Sequence, residues 1–340
     1  MTGERNDSRP QRSDALTDLF SRRLNYLRVS ITDRCNLRCV YCTPQFETIK
    51  LDHEQILSYE EILRVVRIAA SLGVEKVRIT GGEPLVRRGV IDFLKQVVHV
   101  PGIRDVSLTT NGVLLAERID DLWESGIRRI NVSLDTLRSD RFSAITGLDA
   151  FERVWAGIQA AYRKGYHPIK VNTVALEGIN DDEVVDIARL SFRYPFHFRF
   201  IEYMPIGPCP KVRGSGLLTP DIQRRLEAAI GPLLPVAASP FDGPARRFRF
   251  ERAIGEIGFI SAMSDHFCSR CNRLRLTARG TLRPCLLSDR EIDVKTLLRA
   301  NASDEALAEL LKSAALQKGS EHHVLSSKDG VHGRMFAIGG

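Results

Sequence analysis

The chain has 340 residues, 43% of them hydrophobic, so it can bury a sizeable core as one barrel-like domain or as a barrel with an appendage. Its formal net charge of +7 suits an anionic small molecule or a merely basic surface, and without a lysine-rich run or a base-stacking aromatic motif nucleic acid is not an expected partner. No apolar run approaches the roughly 18 residues that cross a bilayer, and the opening MTGERNDSRPQRSD lacks the apolar block of a signal peptide, so no membrane partner is expected and the expected location is the cytoplasm.

The polar leader has almost nothing to bury before Leu16, and residues 1–23 read as a flexible tail. From Tyr26 onward short apolar runs alternate with helix-patterned segments, which predicts repeated strand–helix units and a parallel sheet. Strands are predicted near 27–31, 74–80, 106–109, 129–134, 169–175 and 198–202. Between the first two, LSYEEILRVVRIAASLG predicts a helix that Ser58 caps while Glu61 reaches back, with Gly73 ending it. Further helices are predicted over 90–98, 115–125, 151–164 and 181–192. Six such units make most of an eight-unit barrel, so the expected fold class is α/β, a partial (βα)6 TIM-type barrel over residues 24–244, with an open doubly wound sheet as its rival. After Gly207 a proline- and glycine-rich loop leads to a helix near 220–229. Then RFRFERA, EIGFIS, RLRLTA and TLRPCL read as short antiparallel strands, the last two joined through Arg279 and Gly280. They define a C-terminal region, residues 245–340.

Six of the seven cysteines form two triplets, Cys35-x3-Cys39-x2-Cys42 and Cys268-x2-Cys271-x13-Cys285. In a chain expected in the cytoplasm, clustered thiols point to metal rather than to disulfides. The first triplet follows the strand LRVSI, at the end where barrel active sites form. A [4Fe–4S] cluster normally takes four thiolates, so three leave one iron free for an exchangeable ligand. A structural zinc site is the alternative, but such sites close with four ligands and tight C-x2-C pairs. Cys209 stands apart, a bystander that is nonetheless available as a fourth thiolate.

Downstream, Thr80-Gly81-Gly82-Glu83-Pro84 follows the second strand; glycines allow close backbone approach to a ligand, and a carboxylate suits an ammonium. Arg28, Arg78, Lys170 and Arg199 each interrupt an otherwise apolar strand, where an unpaired cation is rare. Their anions are either internal carboxylates, Asp33, Glu83, Asp135 and Glu202, or a ligand. Together with Arg273 and Arg275 beside the second triplet, the set fits a triphosphate better, since the arginine fork suits phosphate oxygens. Other positions read more plainly. Met204 and Tyr41 are core or rim residues by composition, Ser133 and Thr109 are strand-end hydroxyls, and His322-His323 is a solvated pair.

The run SITDRCNLRCVYC and the TGGEP segment resemble the radical S-adenosylmethionine superfamily. The resemblance implies that the open iron chelates the amino and carboxylate groups of the cosubstrate, and that one electron splits its sulfonium to give methionine and a 5'-deoxyadenosyl radical. Over residues 24–340 the chain is similar, more narrowly, to the GTP 3',8-cyclases of molybdenum-cofactor synthesis. VRITGGEPLVRR, LTTNG, RRINVSLD, IKVNTV, GINDDE, FRFIEYMPIG, FCSRCNRLRLTARGTLRPCL and the terminal Ile338-Gly339-Gly340 carry that similarity.

This second resemblance implies two [4Fe–4S] clusters, one on each triplet, the second binding guanine. It implies S-adenosylmethionine contacts at Tyr41, Gly82, Ser133 and Met204, and GTP contacts at Arg28, Arg78, Thr109, Lys170, Arg273, Leu274 and Arg275. Catalytic roles fall to Arg199 and to the tail residues Gly339 and Gly340. The implied reaction removes the ribose 3' hydrogen of GTP and joins that carbon to guanine C8. The implied partners are an electron donor of flavodoxin or ferredoxin type and a downstream pyranopterin monophosphate synthase, with the chain a monomer or homodimer. Two rivals stand beside it: a radical enzyme that modifies peptides and carries an auxiliary cluster, and a non-enzymatic zinc or iron–sulfur module that binds nucleic acid. The sequence departs from the family at Thr43 after the first triplet and at Pro208-Cys209-Pro210.

Overall fold

Residues 15–42, 51–207, 216–237, 242–322, 331 and 334–339 are described by a computed structural model of the chain. The expected flexibility of residues 1–14, the departures at Thr43 and at 208–210, and the expected roles of Cys209 and Gly340 lie outside them.

The alternating runs form six strands, β1 (Tyr26–Ser30), β2 (Lys76–Thr80), β3 (Asp105–Thr110), β4 (Arg129–Ser133), β5 (Lys170–Ala175) and β6 (His197–Glu202). Consecutive strands pair in parallel throughout. The helices between them are α1 (Tyr59–Ser71), α2 (Val90–Val98), α3 (Leu115–Glu124), α4 (Ser139–Thr146), α5 (Phe151–Lys164) and α6 (Val184–Arg189). On α1 the predicted capping box is present: Ser58 Oγ accepts from the Glu61 amide at 3.2 Å, and Glu61 accepts from the Ser58 amide at 2.7 Å. Such a cap contributes about 1 kcal/mol. The helix ends at Gly73, whose φ of +86° favours glycine. Two helical expectations change. α4 was not predicted, because SDRFSAIT buries little beyond Phe142 and Ile145. The segment predicted as one helix over 181–192 starts later and closes as a 3-10 turn over Leu190–Phe192.

Side chains alternate across each strand. Leu27 and Val29, both 0% exposed, join Ile62, Val65 and Val66 of α1 in the main core, which lies between sheet and helices. Tyr26, Arg28 and Ser30 point the other way, into the barrel.

After β6 come α7 (Thr219–Ala229) and β7 (Leu233–Pro235), and then β8 (Arg246–Phe250), β9 (Glu256–Ile260), β10 (Arg273–Leu276), β11 (Thr281–Arg283), β12 (Ile292–Asp293), α8 (Lys295–Arg299), α9 (Asp304–Leu316) and α10 (Met335–Ile338) of the C-terminal region. As predicted, β8 pairs with β9 and β10 with β11 in antiparallel fashion. Less expected, β9 also pairs in parallel with β6, and β10 with β1. One sheet results, in the order β12-β11-β10-β1-β2-β3-β4-β5-β6-β9-β8-β7, and the C-terminal strands extend the partial barrel at both flanks. It remains open, with β12 and β7 as its edges.

Within residues 15–23, three side chains, Leu16, Asp18 and Arg22, are buried, while Leu19 and Phe20 are exposed. Leu16 is 1% exposed; its amide donates to Leu72 O at 3.0 Å, and its carbonyl accepts from the Leu24 amide at 2.8 Å. Asp18 and Arg22 are buried as well. A single apolar residue was enough, because its slot beneath the end of α1 is made by tertiary structure. Among the described residues no helix is long and apolar enough to cross a membrane.

Candidate active site

Barrel interiors are usually filled with layers of branched aliphatic side chains. This one is filled with cations. In register, Arg28 of β1 lies between Arg275 of β10 and Arg78 of β2, while Lys170 and Arg199 project from β5 and β6. Arg78, Lys170, Arg199 and Arg275 are each at most 7% exposed. The carboxylates expected to neutralise them are used elsewhere. Asp33 accepts from the Leu51 amide, Glu83 from the Leu85 and Asn111 amides, Asp135 from the Val174 amide and the Tyr41 hydroxyl, and Glu202 from the Thr219 and Met263 amides. Arg199 instead donates to Asn172 Oδ1 at 2.9 Å and Asn131 Oδ1 at 2.6 Å, and Arg78 to Ser107 Oγ at 3.2 Å.

Burial moves the titrating groups. Burial, then Arg199 and the cations beyond it, lowers Lys170 to about 6. Burial lowers Arg28 and Arg199 to about 9. For Tyr26, burial pushes the phenol up, but Arg78, Arg28, Lys76 and Arg273 together outweigh it and hold it below its ordinary value. Such a site is short of negative charge and suits a polyanion.

The first cysteine loop leaves the C-terminal end of β1 and rests on α4, with Arg38 N donating to Thr146 O at 2.8 Å and Val40 N to Ile145 O at 2.9 Å. From the next loop, Gly82 N donates to Thr32 O at 2.7 Å and Glu83 N to Arg34 O at 2.8 Å. A Cβ on Gly82 would sit 2.4 Å from Arg34 O, and one on Gly81 2.7 Å from Thr32 O. The backbone that these glycines approach so closely is the cysteine loop itself. Glu83 does not present its carboxylate to the cavity as expected; it is 0% exposed and ties the loop after β3 through Thr110 and Asn111. Burial, against those donors, raises it to about 7. Burial, with Asp135 next, also pushes the Cys39 thiol up.

The second cysteine loop joins β9 to β10, and its surroundings are cationic. The Arg273 guanidinium lies 4.7 Å from the Phe267 ring centre. Lys318, 4% exposed, donates through Nζ to Arg273 O at 3.1 Å and Pro284 O at 2.7 Å. Burial opposes ionisation of Cys271, yet Arg273 and Lys318 outweigh it and lower the thiol to about 6.

All six cysteines line one cavity of about 270 Å³, and all are free thiols. Among the described residues no three His, Cys, Asp or Glu side chains are gathered closely enough to share a single ion. Of the positions singled out in the sequence, Tyr41, Gly82, Ser133 and Met204 line the same cavity, as do Arg28, Arg78, Thr109, Arg199, Arg273 and Arg275. Three others do not. Lys170 sits below it in a small pocket with His197, Arg247 and Glu256. Leu274 turns its side chain into the core, leaving only its backbone toward the barrel. Gly339 packs against Ser30 and Thr80 at the strand ends, and its carbonyl accepts from Arg275 Nη1 at 3.0 Å.

Sequence reasoning missed Lys318, whose partners are carbonyls, and misread His322, which is packed against the His266 ring and bonded to Ala262 O at 2.9 Å rather than solvated.

Residues 29–191 match the Radical SAM superfamily, and residues 196–324 match the Molybdenum Cofactor Synthesis C family. The chain is 49% identical to the GTP 3',8-cyclase of Pelotomaculum thermopropionicum over 91% of its own length and 96% of the relative's. It is 47% identical to the GTP 3',8-cyclase of Heliobacterium modesticaldum over 96% and 100% of the two lengths. Among solved structures, Streptococcus suis SuiB bound to S-adenosylmethionine superposes with a TM-score of 0.60 at 16% identity, covering 89% of this chain and 74% of that one. At that identity the likeness is one of fold. The superfamily uses S-adenosylmethionine and a [4Fe–4S] cluster, GTP 3',8-cyclases carry a second cluster, and the two cysteine triplets around one cavity fit both. The chain belongs to the GTP 3',8-cyclase family of radical S-adenosylmethionine enzymes.

Proposed function

We propose that this chain converts GTP to (8S)-3',8-cyclo-7,8-dihydroguanosine 5'-triphosphate, the first step of molybdenum-cofactor synthesis. One observation carries the reading: both cysteine triplets open on a single cavity that Arg28, Arg78, Arg199, Arg273 and Arg275 also line, and among the described residues Arg78 and Arg199 have no carboxylate within 4.0 Å. A triphosphate supplies the missing charge.

In this reading Cys35, Cys39 and Cys42 hold the first cluster, and Cys268, Cys271 and Cys285 the second. Bound S-adenosylmethionine supplies the 5'-deoxyadenosyl radical that removes hydrogen from the ribose. Tyr41, Gly82, Ser133 and Met204 hold that cosubstrate, with the Gly82 backbone already fixed against the cysteine loop. Arg28, Arg78 and Lys170 neutralise phosphate oxygens from the barrel side. Thr109 Oγ1 is buried with no hydrogen-bond partner among the described residues, a cost of about 1–3 kcal/mol that a bound ligand oxygen relieves. Arg273, Arg275 and the Leu274 backbone face the base. Arg199, held by two asparagines, keeps a charge beside the reacting ribose, and Arg275 anchors the tail through Gly339. The reductant is a one-electron donor of flavodoxin or ferredoxin type, the product passes to a pyranopterin monophosphate synthase, and the enzyme works in the cytoplasm.

A peptide modifier accounts for the cysteines but has no use for a wall of cations. The test is anaerobic turnover with a strong reductant. Formation of 5'-deoxyadenosine is expected to depend on GTP and to accompany one cyclised nucleotide per cleavage. Turnover that ignores GTP, or a colourless protein that carries zinc, would refute the proposal.

A further inference from the structure

The N-terminal segment contains a buried ion pair. Asp18 is 5% exposed and Arg22 9%. Asp18 Oδ1 accepts from the Phe20 amide at 2.9 Å and the Arg22 amide at 3.0 Å, while its Oδ2 receives Arg22 Nε at 2.5 Å. The carboxylate thus folds the turn and aims the guanidinium. What the guanidinium reaches is distant in sequence: Nη1 donates to Cys268 O at 2.5 Å and Ser320 O at 3.2 Å, and Nη2 to Gly319 O at 2.6 Å.

We infer that Asp18 and Arg22 are positioning residues for the second cluster, an inference that rests on the reading of Cys268, Cys271 and Cys285 as its ligands. The carbonyl of Cys268 belongs to the peptide unit that follows the cysteine Cα. Fixing that plane restricts the direction of the Cα–Cβ bond and therefore of the thiolate. The other two carbonyls, of Gly319 and Ser320, directly follow Lys318, which grips the backbone of Arg273 and Pro284, the residue before Cys285. One guanidinium therefore joins the first cysteine of the triplet to the brace behind the other two. A forked, permanently charged donor suits this task, since three carbonyls from two turns are satisfied at once and none asks for a proton back. The anchor is itself rooted, because Leu16 and Leu24 bond to each other and Leu16 to Leu72 at the end of α1. No such cation bonds a carbonyl of Cys35 or Cys39 among the described residues.

The test separates the clusters. In a full-length chain carrying Cys35→Ala, Cys39→Ala and Cys42→Ala, only the second triplet can bind iron after anaerobic reconstitution. There Arg22→Ala is expected to speed iron release to a chelator by about tenfold or more, and Arg22→Lys to recover part of the loss, on the scale of other residues that orient metal ligands. The low-temperature EPR spectrum of the reduced cluster should change with Arg22→Ala and move the same way, less far, with Asp18→Asn. In the converse chain, with Cys268→Ala, Cys271→Ala and Cys285→Ala, Arg22→Ala should leave release from the first cluster unchanged. Equal release rates and an unaltered spectrum in the first background overturn the inference, and so does equal damage to both clusters, which makes Arg22 a general folding residue. If the second triplet binds no iron with Arg22 intact, the cluster reading itself has failed and takes the inference with it.

Discussion

The two cysteine triplets line one cavity, yet the first sits on a single loop after β1 while the second is split between the β9–β10 loop, with Cys268 and Cys271, and Cys285 after β11, and the two are held by different means. The first is fixed mainly backbone to backbone, by the glycine loop after β2 and the end of α4, with one guanidinium bond from Arg87 to Ile31 O at its root and Glu83 and Asp135 buried nearby. The second is gripped by cations on carbonyls, Lys318 and Arg22, with Arg273 beside its thiols. A loop held by steric fit is sensitive to volume; one held by charge-assisted bonds is sensitive to the removal of single side chains. Positive charge from Arg273 and Lys318 also favours thiolate at Cys271, while burial raises Cys268 and, with a neighbouring carboxylate, Cys39.

The sharpest way to break the comparison is to remove one cysteine from each triplet. Cys39→Ala is expected to abolish both 5'-deoxyadenosine and cyclised product. Cys285→Ala should keep the first cluster and uncoupled cleavage of the cosubstrate while the product vanishes. Quantifying both compounds by liquid chromatography decides it, and cyclisation that persists in Cys285→Ala removes the substrate-binding role of the second loop.

Next in size is Gly82→Ala. The added Cβ falls 2.4 Å from Arg34 O, so the first loop must shift, at about 1–3 kcal/mol. Iron counting and thermal unfolding should show the first cluster lost with the second retained. Equal loss of both would mean that the loops are not independently held.

The smallest effect expected is at Lys170, which belongs to neither loop. Lys170→Met should weaken GTP binding by about 2 kcal/mol, roughly thirtyfold. In the free protein its pKa is about 6 against an ordinary 10.5, so between those values the unfolded chain binds the extra proton and stability rises with pH; below about 6 the cost of the buried charge is fully present. Lys170→Met should flatten that rise, measured by denaturant unfolding from pH 6 to 9. Titration calorimetry in buffers of different ionisation heat should find proton uptake on GTP binding near pH 8 in the wild type and its loss in the variant.

The parts visible in the sequence were those with a local signature. Strands β1 to β6 announced themselves by alternation, and Arg28, Arg78, Lys170 and Arg199 stood out as charges in apolar runs. Their company did not, because Asp33, Glu83, Asp135 and Glu202 bond to backbone amides, and every residue offers one of those. The same silence hid Arg22 and Lys318, whose partners are carbonyls. Pairing of β9 with β6 and of β10 with β1 was hidden for another reason: a parallel ladder joins segments far apart in the chain, and nothing in RLRLTA names its neighbour.

That last pairing has a mechanical consequence. The first thiol loop leaves the C-terminal end of β1, whereas Cys268 and Cys271 lead into the N-terminal end of β10, which is hydrogen-bonded alongside it in parallel, so the length of that ladder acts as a ruler between the two triplets. A ruler of that kind cannot gape as two hinged jaws would. Substrate entry and product exit therefore fall to the rim loops, and enlarging the range of nucleobases accepted would mean recutting those loops, since the gauge itself is written into the ladder.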